Sequence, residues 1–265
     1  MSLFQAFILG IVQGATEFLP ISSSGHLVLV PFIAGWPEPS VAFIVAVHLG
    51  TLLSVFWVFR DRILELLRAL FGHGSAEDRR FVGLLAIGTI PAAVIGAVFA
   101  NRIESTFERP VIISFLLAGT AWILFSTETA FEESKKTPHE ERQVTPLDAG
   151  LIGVAQAVAI LPGISRSGST ISAGMLRGLT REAAARFSFL MAIPIILGAT
   201  IVKIPDMTAS GSGGAMVLGI ITSAIVGTLS IRALLAFVTR RGFRPFAVYC
   251  LLAATAGILT ALARG

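Results

Sequence analysis

The chain has 265 residues, 54% of them hydrophobic and only 14% charged, where a soluble domain carries about 25% charged residues. Mean hydropathy is +0.83, which excludes a soluble globular protein and requires a bilayer as solvent. The formal charge is +4 and the pI near 10, but the basic residues fall in short segments between apolar runs and form no single stripe, so they read as topology signals and not as a nucleic-acid surface.

The first apolar stretch, 3–35, is interrupted by Pro20-Ile21-Ser22-Ser23-Ser24-Gly25-His26. Each half is too short to cross a hydrocarbon core about 30 Å thick. Unwound backbone at membrane depth is tolerated only where protein or a wet cavity covers it, so a re-entrant helical hairpin is predicted. A secretory signal is not, because the run contains Glu17 and the first basic residue is Arg60. Runs 41–59, 81–100 and 111–127 are each long enough to span. The charged segment 128–148, with two prolines, reads as a linker. A second interrupted stretch, 149–177, carries Pro162-Gly163-Ile164-Ser165-Arg166-Ser167-Gly168-Ser169-Thr170 and predicts a second re-entrant hairpin. Runs 184–202, 214–238 and 245–263 complete six full spans. Cys250 stands alone in the last of them, so no disulfide framework is expected.

Lys and Arg favour cytoplasmic loops. Placing 60–80, 128–148, 177–186 and 239–244 inside puts fourteen of the twenty basic residues there, with both termini outside. The first hairpin then enters from outside and the second from the cytoplasm. An offset of 143 residues aligns Gly10-Ile11-Val12-Gln13 with Gly153-Val154-Ala155-Gln156, and Ser22-Ser23-Ser24-Gly25-His26 with Ser165-Arg166-Ser167-Gly168-Ser169. Each half holds one hairpin and three spans, and a unit with an odd number of crossings returns upside down. The predicted fold is an all-α polytopic membrane protein, one membrane domain built as an inverted-topology repeat. Repeat one covers about 1–127, a cytoplasmic linker about 128–148 and repeat two about 149–265.

Glu17 is the acidic residue deepest in an apolar stretch, where an ionised carboxylate costs about 2.5–3.5 kcal/mol on translocon scales. Gln13 lies one turn earlier on the same face. Ser22, Ser23, Ser24 and Gly25 read as the cap of a new half-helix after Pro20, whose free N–H groups form an anion site. The second hairpin repeats the device with Ser165, Ser167, Gly168, Ser169 and Thr170. Arg166 adds a permanent guanidinium able to hold phosphate oxygens bidentately. Two anion-binding helix starts, one carboxylate and one arginine suit a diphosphate. His26 suits a nucleophile, a general acid or a phosphate donor. His48, inside a span without a comparable motif, reads as an ordinary hydrogen-bonded residue, and His73 and His139 as solvated.

Over Gln13-Gly14-Ala15-Thr16-Glu17-Phe18-Leu19-Pro20-Ile21-Ser22-Ser23-Ser24-Gly25-His26 and Pro162-Gly163-Ile164-Ser165-Arg166-Ser167-Gly168, the chain closely resembles the bacterial undecaprenyl-diphosphate phosphatases of the bacitracin-resistance type, and length and hydropathy match throughout. The resemblance implies removal of one phosphate from undecaprenyl diphosphate, recycling the lipid carrier for cell-wall (peptidoglycan) synthesis. It implies a divalent metal, magnesium or calcium, and a site open to the outer face of the cytoplasmic membrane. It also implies interlocked inverted repeats, in a family often seen as dimers. Glu17, the serine run, His26, Ser165, Arg166, Ser167 and Thr170 fall on the family's active-site motifs. The first position of the acidic motif, glutamate or glutamine in the family, is Gln13 here. A metal would then take at most Glu17 from the protein and otherwise phosphate oxygens and water.

The expected scheme has Glu17 as base, Ser23 as first choice of nucleophile with His26 or a water behind it, and Arg166 holding the phosphates. The rival is a lipid-phosphate transporter or flippase using the same anion pocket, which would need no base and nucleophile pair.

Overall fold

The computed structural model describes residues 1–134, 142–209, 213–238 and 242–264. Regular structure there is entirely α-helical: α1 (Leu3–Thr16), α2 (Ser23–Ala34), α3 (Val41–Val58), α4 (Arg60–Leu70), α5 (Ala76–Phe107), α6 (Pro110–Ser134), α7 (Pro146–Val158), α8 (Arg166–Leu176), α9 (Arg181–Ala209), α10 (Gly213–Val238) and α11 (Arg244–Arg264). Helices α3, α5, α6, α9, α10 and α11 are long and apolar enough to cross a membrane. They cover the six predicted runs, and the chain is a multi-pass membrane protein.

Two segments expected to be loops are helical. Within 60–80, α4 buries Ile63, Leu66 and Ala69, a three-residue periodicity that puts one side against the bundle. Within 128–148, α6 continues to Ser134 and α7 already starts at Pro146; residues 135–141 lie outside the described residues. The reason in α6 is Glu128, which is only 2% exposed. Its carboxylate pairs with Arg181 and accepts the Phe243 N–H at 2.9 Å, so burial comes with compensation from partners remote in sequence. Asp148 is buried likewise, between Arg142 at 2.6 Å and Arg177 at 2.9 Å. Glu17 is therefore one of three buried carboxylates among the described residues.

The two interrupted stretches fold as pairs of short helices, α1 with α2 and α7 with α8. Helix α1 starts on a capping box between Ser2 and Gln5, and α7 on one between Thr145 and Asp148. Neither can run far, because Pro20 and the Pro162-Gly163 pair follow. Gly163 has φ +103°, and a Cβ there would lie 2.6 Å from the Ile113 carbonyl oxygen, so glycine is required twice over.

Close approach of backbones holds the short helices in place. A Cβ on Gly14 of α1 would meet Gly227 N and Ser223 O of α10 at 2.8 Å, and one on Gly153 of α7 would meet Gly88 O of α5 at 2.6 Å. Small residues let helices touch where lipid offers no hydrophobic drive. Around them α3 packs on α9 and α10, α6 on α11, and α8 on α6 and α9. One large apolar cluster runs through both halves, with Phe18 edge-on to Phe189 at 5.4 Å.

Candidate active site

The break between α1 and α2 sets the first half of the site. Gln13 and Glu17 share a face at the end of α1, and Gln13 Nε2 donates to Glu17 Oε2 at 3.0 Å and to Thr51 Oγ1 at 3.4 Å. Ser22 then turns the chain with φ 69°, the one positive φ outside glycine among the described residues. Its Oγ accepts the Gly25 N–H at 3.3 Å and caps α2. Ser23, the first residue of α2, consequently directs its hydroxyl back to Glu17 Oε2 at 2.5 Å.

The break between α7 and α8 sets the second half. Thr120 of α6 donates to Gly163 O at 2.8 Å and accepts the Ser165 N–H at 2.9 Å, fixing the turn. Ser165 Oγ accepts the Gly168 N–H at 3.0 Å, and Arg166 opens α8. Arg166 Nη2 donates to Glu17 Oε1 at 2.6 Å, and Nη1 to Ser188 O at 3.2 Å. The two breaks interlock: Ser167 Oγ donates to Leu19 O at 2.9 Å, and Gly25 and Gly168 lie against Gly163 and Pro20.

The structure thus gathers Gln13, Glu17, Ser23 and Arg166 at one point. Other expected phosphate binders have their hydroxyls engaged locally. Ser22 and Ser165 cap helices, Ser24 Oγ lies 3.4 Å from Ser22 Oγ, and Thr170 Oγ1 donates to Arg166 O at 2.8 Å and accepts from Ser188 Oγ at 2.6 Å. Their visible work is to shape the turns that aim Ser23 and Arg166. His26 faces elsewhere: Nδ1 lies 2.8 Å from Ser22 O and Nε2 2.8 Å from the Tyr249 hydroxyl, with the two rings stacked at 5.5 Å.

Sequence reasoning passed over Thr51, Thr120, Ser188 and Tyr249, and read His48 as an ordinary hydrogen-bonded residue. His48 Nε2 lies 3.6 Å from Glu17 Oε2, while its Nδ1 is 2.8 Å from Ile44 O. The available signal was depth, since an ionisable side chain inside a span marks a functional site by default. Tyr249 is the single tyrosine of the chain, but nothing local ties it to His26, 223 positions away.

A carboxylate within hydrogen-bond reach of a serine hydroxyl is a base and nucleophile pair. The guanidinium beside it has five N–H donors, so donors beyond those given to Glu17 and Ser188 are free for phosphate oxygens. As to a divalent cation, no three His, Cys, Asp or Glu side chains converge among the described residues. The Gln13 Oε1 atom is buried without a hydrogen-bond partner, and beside Glu17 it makes two hard oxygen donors, which fits a cation that draws most of its shell from phosphate and water.

The sequence matches the family model described as bacitracin resistance protein BacA over residues 6–256. An undecaprenyl-diphosphatase of Pelotomaculum thermopropionicum is 43% identical over 267 aligned positions, covering 100% of this chain and 98% of that protein. An undecaprenyl-diphosphatase of Caldicellulosiruptor bescii is 43% identical over 254 positions, 94% of each chain. A third relative, undecaprenyl-diphosphatase 2 of Stutzerimonas stutzeri, is 40% identical over 259 positions, covering 95% of this chain and 96% of its own. With a match across nearly its whole length and the two motif turns meeting in one polar site, this chain belongs to the BacA bacitracin resistance family.

Proposed function

We propose that the protein is a membrane-embedded phosphatase that hydrolyses undecaprenyl diphosphate to undecaprenyl phosphate and inorganic phosphate. The observation that carries this reading is the Ser23–Glu17–Arg166 chain of contacts, 2.5 Å and 2.6 Å long. It joins a nucleophile, its base and a phosphate-binding cation. A carrier of lipid phosphates would use the cation but has no use for the serine held on the carboxylate.

In the proposed mechanism the terminal phosphate sits against Arg166 and the N-terminus of α8. Ser23 Oγ attacks the terminal phosphorus as its proton passes to Glu17. The bond to the bridging oxygen breaks, and undecaprenyl phosphate leaves with the electron pair. Glu17 passes the Ser23 proton to the departing phosphate. Water then attacks the phosphoserine phosphorus and gives a proton to Glu17, which returns it to Ser23 Oγ as the P–O bond breaks and inorganic phosphate leaves. Arg166 offsets the negative charge spread over the transferred group. The 2.5 Å bond from Ser23 to Glu17 supports Ser23 over His26 as nucleophile, since His26 is committed to Ser22 and Tyr249. A divalent cation, magnesium or calcium, would be held by Glu17 and the Gln13 carbonyl oxygen and would neutralise phosphate charge.

The site is proposed to open to the outer face of the cytoplasmic membrane, with both termini outside. Contacts between segments expected inside support this. Arg80 donates to Gln143, Arg142 to the Arg177 carbonyl, Arg181 pairs with Glu128 and Arg244 with Glu132, so all four basic segments meet at one face. Lys203 pairs with Glu104, and Arg264 with the Phe32 carbonyl, among segments expected outside.

An inverted repeat with two re-entrant hairpins is the architecture this implies. The 143-residue offset carries the Ser2–Gln5 capping box onto Thr145–Asp148 and the Ser22–Gly25 cap onto Ser165–Gly168. It also relates α1 lying on α10 to α7 lying on α5, each hairpin braced by a span of the other half.

The test is phosphate release from undecaprenyl diphosphate by the purified protein in detergent. Glu17→Ala and Arg166→Ala should each abolish turnover, about 10³-fold or more, while eluting as the folded protein. Near-normal turnover in either variant overturns the assignment.

A further inference from the structure

Beyond the polar site, a groove of about 740 Å³ lies between α5 and α7. Pockets that enclose most of a small ligand run about 300–1,000 Å³. Its walls are Pro91, Val94, Ile95, Phe99 and Ile103 of α5 with Val154, Ala157, Val158, Ile160 and Leu161 opposite, and its one charged member is Arg102.

The groove has a structural cause. Helices α5 and α7 touch at Gly88 and Gly153 and are pinned there by Gln156 Nε2, which donates to Gly88 O at 3.2 Å. Helix α7 then stops at Val158, while α5 continues and leaves helical geometry at Phe99 (φ −112°, ψ 16°). Beyond Val158 the outer half of α5 has no stretch of α7 beside it, and the slot opens there. From Pro91 to Arg102 the opening is roughly 16 Å long at 1.5 Å per residue.

Chemistry is graded along it. Pro91 to Phe99 belong to the apolar span, which ends at Ala100, and Arg102 lies just beyond that end. Arg102 is exposed and makes no ion pair among the described residues, since its neighbour Glu104 is taken by Lys203 at 2.5 Å. A cation at the membrane boundary above an apolar slot matches an amphiphile with an anionic head and a hydrocarbon chain. The inner end, Ile160 and Leu161, is followed in the chain by the Pro162-Gly163 turn and then by Arg166.

We infer that this groove is the docking site of the prenyl-phosphate lipid itself, its phosphate head on Arg102 and its chain along α5 down to Leu161, beside the turn that presents Arg166. The inference rests on the phosphatase reading and adds to it the place where substrate waits before its head group transfers to the reaction site. The short stretch of chain from Leu161, the last lining residue, to Arg166 is what selects the prenyl lipid over a bilayer phospholipid as occupant.

Two measurements test it with Arg102→Gln and with Val158→Trp, which fills the slot from α7. In liposomes containing undecaprenyl diphosphate, Arg102→Gln should raise KM about fivefold, the worth of one partly exposed charge contact, and Val158→Trp should raise it by filling the slot, each with kcat within about twofold of the parent. In native mass spectrometry of detergent-solubilised protein, each should lose adducts of undecaprenyl phosphate while keeping those of phosphatidylglycerol. Unchanged KM and unchanged undecaprenyl phosphate adducts overturn the inference. So does selective loss of phosphatidylglycerol adducts at unchanged KM, which would make the groove a bilayer-lipid site. Should the parent protein release no phosphate at all, the phosphatase reading fails, and the adduct measurement still reports on the groove.

Discussion

Six positions separate Glu17 from Ser23, a spacing that on an unbroken helix turns two side chains well apart. The left-handed turn at Ser22 brings the hydroxyl back to 2.5 Å from the carboxylate. Ser22 therefore serves both as strained hinge and as cap. Ser22→Gly keeps the backbone and costs a few tenths of a kcal/mol in capping, whereas Ser22→Ala keeps the strain and loses about 1 kcal/mol. Turnover should fall more in the alanine variant than in the glycine variant, measured as kcat in detergent. Tyr249→Phe should retain the stack on His26 but release Nε2, costing about 1 kcal/mol for the lost hydrogen bond. If His26 takes part in the reaction, the change appears in kcat, near fivefold, with KM little moved. An unaltered kcat assigns the His26–Tyr249 pair to packing alone.

At the level of elements, each short helix depends on one place of backbone contact. Gly14→Leu would drive a side chain into Gly227 and Ser223 of α10, and Gly153→Val into the Gly88 carbonyl of α5. Overpacking of this kind costs about 1–3 kcal/mol or more. Both variants should show lower thermal midpoints and lost monodispersity in detergent, with activity lost because the turns move together with their helices. Gly83 of α5 has open space around it, so Gly83→Ala should leave the midpoint unchanged or raised.

For the whole molecule, the buried Glu128–Arg181 pair ties α6 to α9, while buried Asp148 with Arg142 and Arg177 gives stability a pH dependence. Asp148 lies at the start of α7, outside the six spans. Burial pushes its carboxyl up, but hydrogen bonds from Arg142, Thr145 and Arg177 outweigh that and hold it well below the usual carboxylate range. A lowered value means a contribution that is complete above the ordinary aspartate range, near pH 4, and lost progressively as pH falls below it. Asp148→Asn should lower the thermal midpoint at neutral pH and flatten its decline between about pH 4 and pH 2 relative to the parent.

The six spans, the two interrupted stretches and the chemical identity of Glu17, Ser23 and Arg166 were legible in the chain alone, because hydropathy over twenty residues and the backbone limits of Pro, Gly and Ser are local properties. Helix α4 and the extension of α6 were not, since each owes its helix to what it buries: Ile63 and Leu66 in one, and in the other Glu128 against Arg181 and Phe243. The same holds for His48 beside Glu17 and Tyr249 on His26. Which of many polar side chains at membrane depth share one chamber depends on how helices from distant parts of the chain cross, and only the tertiary structure decides that. Sequence alone determined that a carboxylate and a guanidinium would sit in two broken helices. Their 2.6 Å contact exists because the two breaks interlock through Ser167, Leu19, Gly25 and Gly163.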